Sequence, residues 1–252
     1  MTAAESFTWA KRLSRISGWV FWVVTVLSLV LLISPKSATE AKIQPILVVA
    51  GIVGICLSLL TQHLQSRGNQ AQRATQFTDA LGVPIGQQPR AGYYNTELAP
   101  SLARLAVTTF ENSFFTTSIL CKILQRERIF GSAYLIIFLA LIAIRSVSLP
   151  WVLFFTQTLF SGDIAAHWIK TELYCSRVAR VRDRLHQFFL QGGDALSPAG
   201  LAVALAALTD YECAKDQAAM PLDQKIFDEL NRRLSGEWDN LRAELKIEQK
   251  RE

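Results

Sequence analysis

Arg177, Arg180 and Arg184 stand three and four positions apart in the last third of the chain, on one face of any helix that carries them. A guanidinium donates in pairs to phosphate or carboxylate oxygens. A row of three therefore suits anionic lipid headgroups, acidic side chains elsewhere in the chain, or the phosphates of a nucleotide. Tyr174, one turn earlier, supplies a ring that can stack on a base. A second polar feature sits inside an apolar run, where Thr156, Gln157 and Thr158 interrupt an otherwise hydrophobic stretch. An amide at membrane depth needs a partner, either a neighbouring helix or water in a cavity. Interhelical bonding and a water-lined path in an oligomer are the two roles open to Thr156 and Gln157.

Groups for covalent or acid–base chemistry do not converge. The chain has no Gly-x-Ser-x-Gly, no phosphate-binding P-loop and no His-Glu-x-x-His. Asp210 with Glu212, and Asp228 with Glu229, point to different faces of a helix, so solvated faces are expected rather than a shared acid–base site. Gly192-Gly193-Asp194 is expected to stop a helix rather than cradle a phosphate. The cysteines, Cys56, Cys121, Cys175 and Cys213, have no zinc or haem spacing and are expected as free thiols facing lipid, protein or cytosol. His63, His167 and His186 are too scattered for a metal cluster. No enzyme, metal or other cofactor is expected.

The elements that must position these residues follow from charge and hydropathy. Of 252 residues, 50% are hydrophobic and 19% charged. Met1 to Gly162 carries 13 Lys/Arg against 6 Asp/Glu, and Asp163 to Glu252 carries 13 against 15. Positive charge thus accompanies the apolar runs, as in membrane proteins, which excludes a single soluble globule. Between Arg15 and Lys36 there are 20 uncharged residues, enough to cross a hydrocarbon layer of about 30 Å. Ser17 to Ile33 is longer than the apolar core of a signal peptide, so a retained anchor is expected. A second run, Ile43 to Gln62, follows a short loop and completes a hairpin. Its Gly51 and Gly54, with Ala50 and Ser58, form a smooth stripe suited to close packing.

The third apolar region divides at Arg145 into 16 and 17 uncharged residues, with Pro150 marking a turn. Reaching back to about Lys122 and forward to about Trp168, it makes a second full hairpin, favoured over a re-entrant pair. The expected fold is an all-α membrane protein of four spans. It comprises an N-terminal arm and first hairpin over 1–62, a cytosolic helical insert over 63–125, a second hairpin over 126–168 and a cytosolic helical tail over 169–252. Lys and Arg in the connections place both termini and the insert in the cytosol. Within the insert, a helix over Gln65 to Ala80 is broken by Gly82, Pro84, Gly86 and Pro89, and a second covers Pro100 to Lys122. In the tail, a helix over Leu173 to Leu190 ends at Gly192, and Ser197 caps the next, with Pro198 at its first position. Ala199 to Leu208 is apolar on every face and too short to span, so a buried core helix is expected. Ile226, Leu230 and Leu234 form the apolar stripe of a last helix starting near Pro221.

One stretch after the second run, Gln72-Arg-Ala-Thr-Gln76-Phe77-Thr-Asp79-Ala-Leu81-Gly82-Val-Pro84, joins a Gln-rich helix to a Phe-Asp pair and a Leu-Gly-x-Pro turn, with Tyr93 and Tyr94 beyond it. Leu120-Cys121 precedes Gln125-Arg126-Glu127 ahead of the third run. These residues and the overall plan resemble the bacterial four-transmembrane pore-forming effectors found beside nucleotide-signalling enzymes in anti-phage loci, and more distantly the two-transmembrane SLATT effectors. The resemblance implies a homo-oligomeric channel of the bacterial inner membrane, with a tetramer as the expected ring. It implies control by a cyclic nucleotide or short oligonucleotide from a partner nucleotidyltransferase, and depolarisation that halts growth of an infected cell. Arg177, Arg180, Arg184 and Tyr174 would then hold the nucleotide, and Thr156 and Gln157 would line the pore. A non-conducting membrane scaffold, whose tail recruits a protein partner, is the alternative from a different class.

Overall fold

The computed structural model describes residues 2–33, 37–86, 96, 98–144, 148–160, 164–220 and 222–247, with the side chains of residues 37–40, 157, 159, 160, 164 and 165 outside the description. Every regular element among them is a helix: α1 (Ala3–Ile33), α2 (Ser37–Leu81), α3 (Leu102–Ala143), α4 (Leu149–Phe160), α5 (Ile164–Leu190), α6 (Pro198–Ala218) and α7 (Gln224–Glu244). The all-α class is as expected.

Helices α1 and α2 form an antiparallel hairpin, with Val20 over Gly54 at one level and Phe7 over Gly68 at another. At about 1.5 Å per residue, the 31 residues of α1 span about 46 Å and the 45 of α2 about 68 Å. Each holds a stretch of mean hydropathy 2.4, none of it buried inside the chain. Both are therefore long and apolar enough to cross a membrane. The expected close packing along Gly51 and Gly54 is not where the helices approach most tightly. Gly51 has nothing within 4 Å of where a Cβ would stand, and Gly54 has only Val20 at 3.9 Å. At Gly68 a Cβ would lie 2.6 Å from the Phe7 ring, because there an aromatic side chain fills the groove that the missing Cβ leaves.

Helix α3 runs unbroken for 42 residues, about 63 Å, from the polar insert into the third apolar run. Ser101 caps its start by accepting from the Arg104 amide at 3.2 Å. The expected end near Lys122 does not occur, since no proline follows and the one glycine, Gly131, is used for packing. A Cβ there would meet Trp168 at 2.9 Å. Helix α4 has 12 residues, about 18 Å, and packs beside the apolar end of α3, where the Tyr134 hydroxyl donates to the Phe155 carbonyl at 3.2 Å. The turn expected at Arg145 and the joint at 161–163 lie outside the described residues.

From there α5 returns antiparallel to α3, α6 doubles back on α5, and α7 lies against α3. The core of this bundle centres on Trp238, which is 0% exposed. Phe110 meets it edge-on at 5.1 Å and stacks on Phe189 at 5.8 Å. Such aromatic pairs add about 0.5–1.5 kcal/mol each beyond their area. Gly82 (φ 68°) and Gly192 (φ 70°) end α2 and α5 in the left-handed region that glycine enters without a Cβ penalty. Ser197 caps α6 as expected, accepting from the Gly200 amide at 3.0 Å. Helix α6 departs from the expected short buried helix: it continues to Ala218, and only one face is inside, carrying Ala204, Ala207, Leu208 and Tyr211. Helix α7 begins at Gln224 after an Asp223 cap, with Leu230 and Leu234 buried and Ile226 packed beside them.

Candidate functional site

The arginine stripe lies on α5 beside the face of Val178, Val181 and Leu185, which is turned to the core. Its members meet different surroundings. Arg184 crosses to α6, its Nη1 2.6 Å from Asp210 Oδ2. Arg180 is exposed and donates to Ser176 Oγ on its own helix at 3.0 Å. Arg177 is half-buried and borders, with Lys170, Leu173 and Tyr174, a shallow cleft of about 120 Å³ against Ala214, Gln217 and Ala218 of α6. Tyr174 is 3% exposed, so its ring sits in the core with no free face for a base. Burial, with Tyr211, Glu212 and Asp216 nearby, raises its phenol well above the usual range. Of the expected anion row, Arg177 and Arg180 are left at the surface, while Arg184 joins two helices.

A larger cleft of about 370 Å³ opens where α3, α5 and α7 meet. Lys122 from α3, Arg182 from α5 and Arg233 from α7 bring three cations to it, and Ser118 and Gln125 add a hydroxyl and an amide. The Ser118 hydroxyl donates to the Phe114 carbonyl at 3.0 Å, which leaves its oxygen lone pairs to accept. Each cation has an acidic neighbour: Lys122 with Glu229 at 3.4 Å, Arg182 with Asp183 at 2.7 Å and Arg233 with Glu237 at 3.4 Å. These pairs are open to water, so they cost little to exchange for another anion. The volume is within the usual range of small-molecule sites, about 300–1,000 Å³. The sequence shows each of these cations separately. Their meeting on three helices has no local signature.

Two polar clusters connect the elements. On α2, Arg73 Nε lies 2.8 Å from Glu212 Oε2 and its Nη2 lies 2.6 Å from Asp216 Oδ2, while Asn69 donates to Asp216 at 2.9 Å. Lys215 completes the cluster on Glu212 at 2.8 Å. Glu212 is 4% exposed, so the solvated face expected for Asp210 and Glu212 is corrected for Glu212: the pairing of α2 with α6 covers it. The second cluster lies between α3 and α5, where the bundle gives way to the apolar arm. Arg128 pairs with Glu172, and His167 Nε2 lies 2.9 Å from Glu127 Oε1. Hydrogen bonding from Arg128 holds the Glu172 carboxyl below its usual range.

In the apolar arm, the Thr156 hydroxyl donates to the Val152 carbonyl of its own helix at 2.8 Å. The Gln157 side chain lies outside the described residues. All four cysteines are free thiols, and Cys121 and Cys175 lie side by side with their sulfurs 3.7 Å apart. Among the described residues, no group of His, Cys, Asp and Glu side chains is arranged to hold a metal ion.

No known protein family, curated protein or solved structure matches the chain.

Proposed function

We propose that this protein is a ligand-gated, pore-forming effector of the bacterial inner membrane, with both termini in the cytosol. Copies assemble into a closed ring, with four as the expected number. A cyclic nucleotide or short oligonucleotide, made by a partner nucleotidyltransferase, controls an ion flow that depolarises a phage-infected cell. The observation that carries the proposal is the continuity of α2 and α3, each of which runs from an apolar segment straight into the polar bundle. A ligand that shifts those helices in the bundle shifts their apolar ends as rigid rods.

The apolar face of the α1–α2 hairpin, unburied in the single chain, is covered by lipid and by neighbouring copies. The arm formed by the end of α3 and by α4 completes a second hairpin that crosses with help from its flanks, giving four spans. Four helices cannot enclose an aqueous path and also fill their own core, so conduction requires the ring. Thr156 faces its water path. The cleft of Lys122, Arg182 and Arg233 receives the phosphates of the ligand, because it is roomier than the one beside Arg177 and includes a residue of α3 itself.

The deciding experiment is ion flux through proteoliposomes holding the purified chain, with and without a panel of cyclic and linear oligonucleotides. Flux that one nucleotide switches on or off supports the proposal, and tight vesicles under every condition with folded protein overturn it. The scaffold alternative draws on a different observation: Leu190, Leu196 and Leu205 are exposed around the α5–α6 turn, where a partner protein would cover them. Stable capture of a partner without flux would favour it.

A further inference from the structure

We propose that Cys121 and Cys175 are a peroxide-responsive thiol pair that closes into a reversible disulfide between α3 and α5. The two sulfurs are 3.7 Å apart, 54 residues apart in sequence, and close to bonding distance: a disulfide needs about 2.05 Å, an approach of about 1.7 Å. Their accessibility is unequal. Cys121 is exposed and borders the cleft of Lys122, Arg182 and Arg233, whereas Cys175 is buried behind it. A small hydroperoxide entering the cleft therefore reaches Cys121 first. Burial, with Cys121 beside it, pushes the Cys175 thiol up to about 12, so it stays protonated at neutral pH and is a poor first nucleophile toward peroxide.

The chemistry balances in two steps. The Cys121 thiol gives up its proton and its sulfur attacks the terminal oxygen of the hydroperoxide. The O–O bond breaks, the departing alkoxide or hydroxide takes up a proton, and the products are a Cys121 sulfenic acid and an alcohol or water. The Cys175 sulfur then attacks the Cys121 sulfur and the S–OH bond breaks. The displaced hydroxide takes the Cys175 proton and leaves as water. Two thiols lose two hydrogens, and the hydroperoxide is reduced. In a reducing cytosol such a bond is transient and signals oxidant rather than serving as permanent bracing. It forms about two turns from Arg128 along α3 and about one turn from Glu172 along α5, so it fastens α3 to α5 just where the bundle meets the apolar arm.

The test uses the full chain in detergent, exposed to hydrogen peroxide and analysed by intact mass and peptide mapping without reductant. The expected product is lighter by two hydrogens, joins the Cys121 peptide to the Cys175 peptide, and reverts with dithiothreitol. In Cys175→Ser, Cys121 should accumulate as a sulfenic acid trapped by dimedone. In Cys121→Ser, Cys175 should stay reduced at the same dose. The proposal is overturned if no Cys121–Cys175 peptide forms, if Cys56 or Cys213 takes the place of either, or if Cys175 oxidises as fast without Cys121. These readouts are independent of ion flux, so they stand or fall apart from the pore proposal.

Discussion

Arg73 and Glu212, 139 residues apart, meet Nε to Oε2 at 2.8 Å and join the helix of the first apolar hairpin to the C-terminal bundle. Glu212 is almost wholly enclosed, and its charge is matched by Arg73 on one side and Lys215 on the other. An ion pair of this kind contributes little net stability when whole, yet losing one partner leaves a charge without compensation. It therefore fixes the pairing of α2 with α6 more than it adds to the folding free energy.

Arg73→Ala should accordingly destabilise the protein by about 3 kcal/mol, the low end of the range for breaking a buried pair, since Lys215 remains. Arg184→Ala, which removes an exposed pair with Asp210, should cost under about 1 kcal/mol. Thermal unfolding of both variants in one detergent checks the contrast, and equal losses would show that Glu212 is solvated in solution.

Gly51 and Gly68, both in α2, should respond differently. Gly68→Ala presses a methyl against the Phe7 ring and should cost about 1–2 kcal/mol, as other insertions into packed contacts do. Phe7→Ala should remove most of that penalty in a double-mutant cycle. Gly51→Ala has nothing to meet within the chain and should leave the stability of the single chain unchanged.

The core aromatic group should be the most sensitive place in the bundle. Trp238→Ala removes the ring enclosed by Phe110 and Phe114 and should cost about 3–5 kcal/mol. A midpoint in chemical denaturation shifted by less than Arg184→Ala shifts it would contradict the packing of α7 on α3.

For the ligand, Arg182→Glu with Arg233→Glu should abolish the nucleotide response of flux and cut binding by more than tenfold, about 1.4 kcal/mol or more. Arg177→Glu with Arg180→Glu should change binding far less, because Arg177 borders a smaller cleft and Arg180 is engaged with Ser176 on its own helix. Titration calorimetry on both double variants distinguishes the two faces of α5. The reverse order would return the site to the original arginine stripe.

The Arg128–Glu172 pair sets a pH dependence. Because Arg128 lowers the Glu172 carboxyl below its usual range, the pair's contribution is complete above the ordinary carboxylate value. It is lost as pH falls through the lowered value. Both side chains are largely exposed, so the effect is small. Melting temperatures of the wild type and Arg128→Ala should converge at acid pH and separate slightly toward neutrality.

What was legible in the sequence is what short-range physics dictates. The long apolar helices α1 and α2 follow from the transfer free energy summed along one segment, whatever the rest of the chain does. The stop at Gly192 and the cap of Ser197 with Pro198 follow from backbone dihedrals and hydrogen bonds within a few residues. The Leu230 and Leu234 stripe follows from helical period alone. The tertiary structure decided what depends on how helices are rotated and crossed. It turned Tyr174 into the core, gave Arg184 to Asp210, enclosed Glu212 between α2 and α6, and brought Lys122, Arg182 and Arg233 to one cleft and Cys121 to Cys175. Every one of those relationships joins residues on different helices, so no spacing in the chain encodes it. It is set where side chains such as Trp238, Phe110 and Phe189 interlock, because close packing admits only one set of rotations.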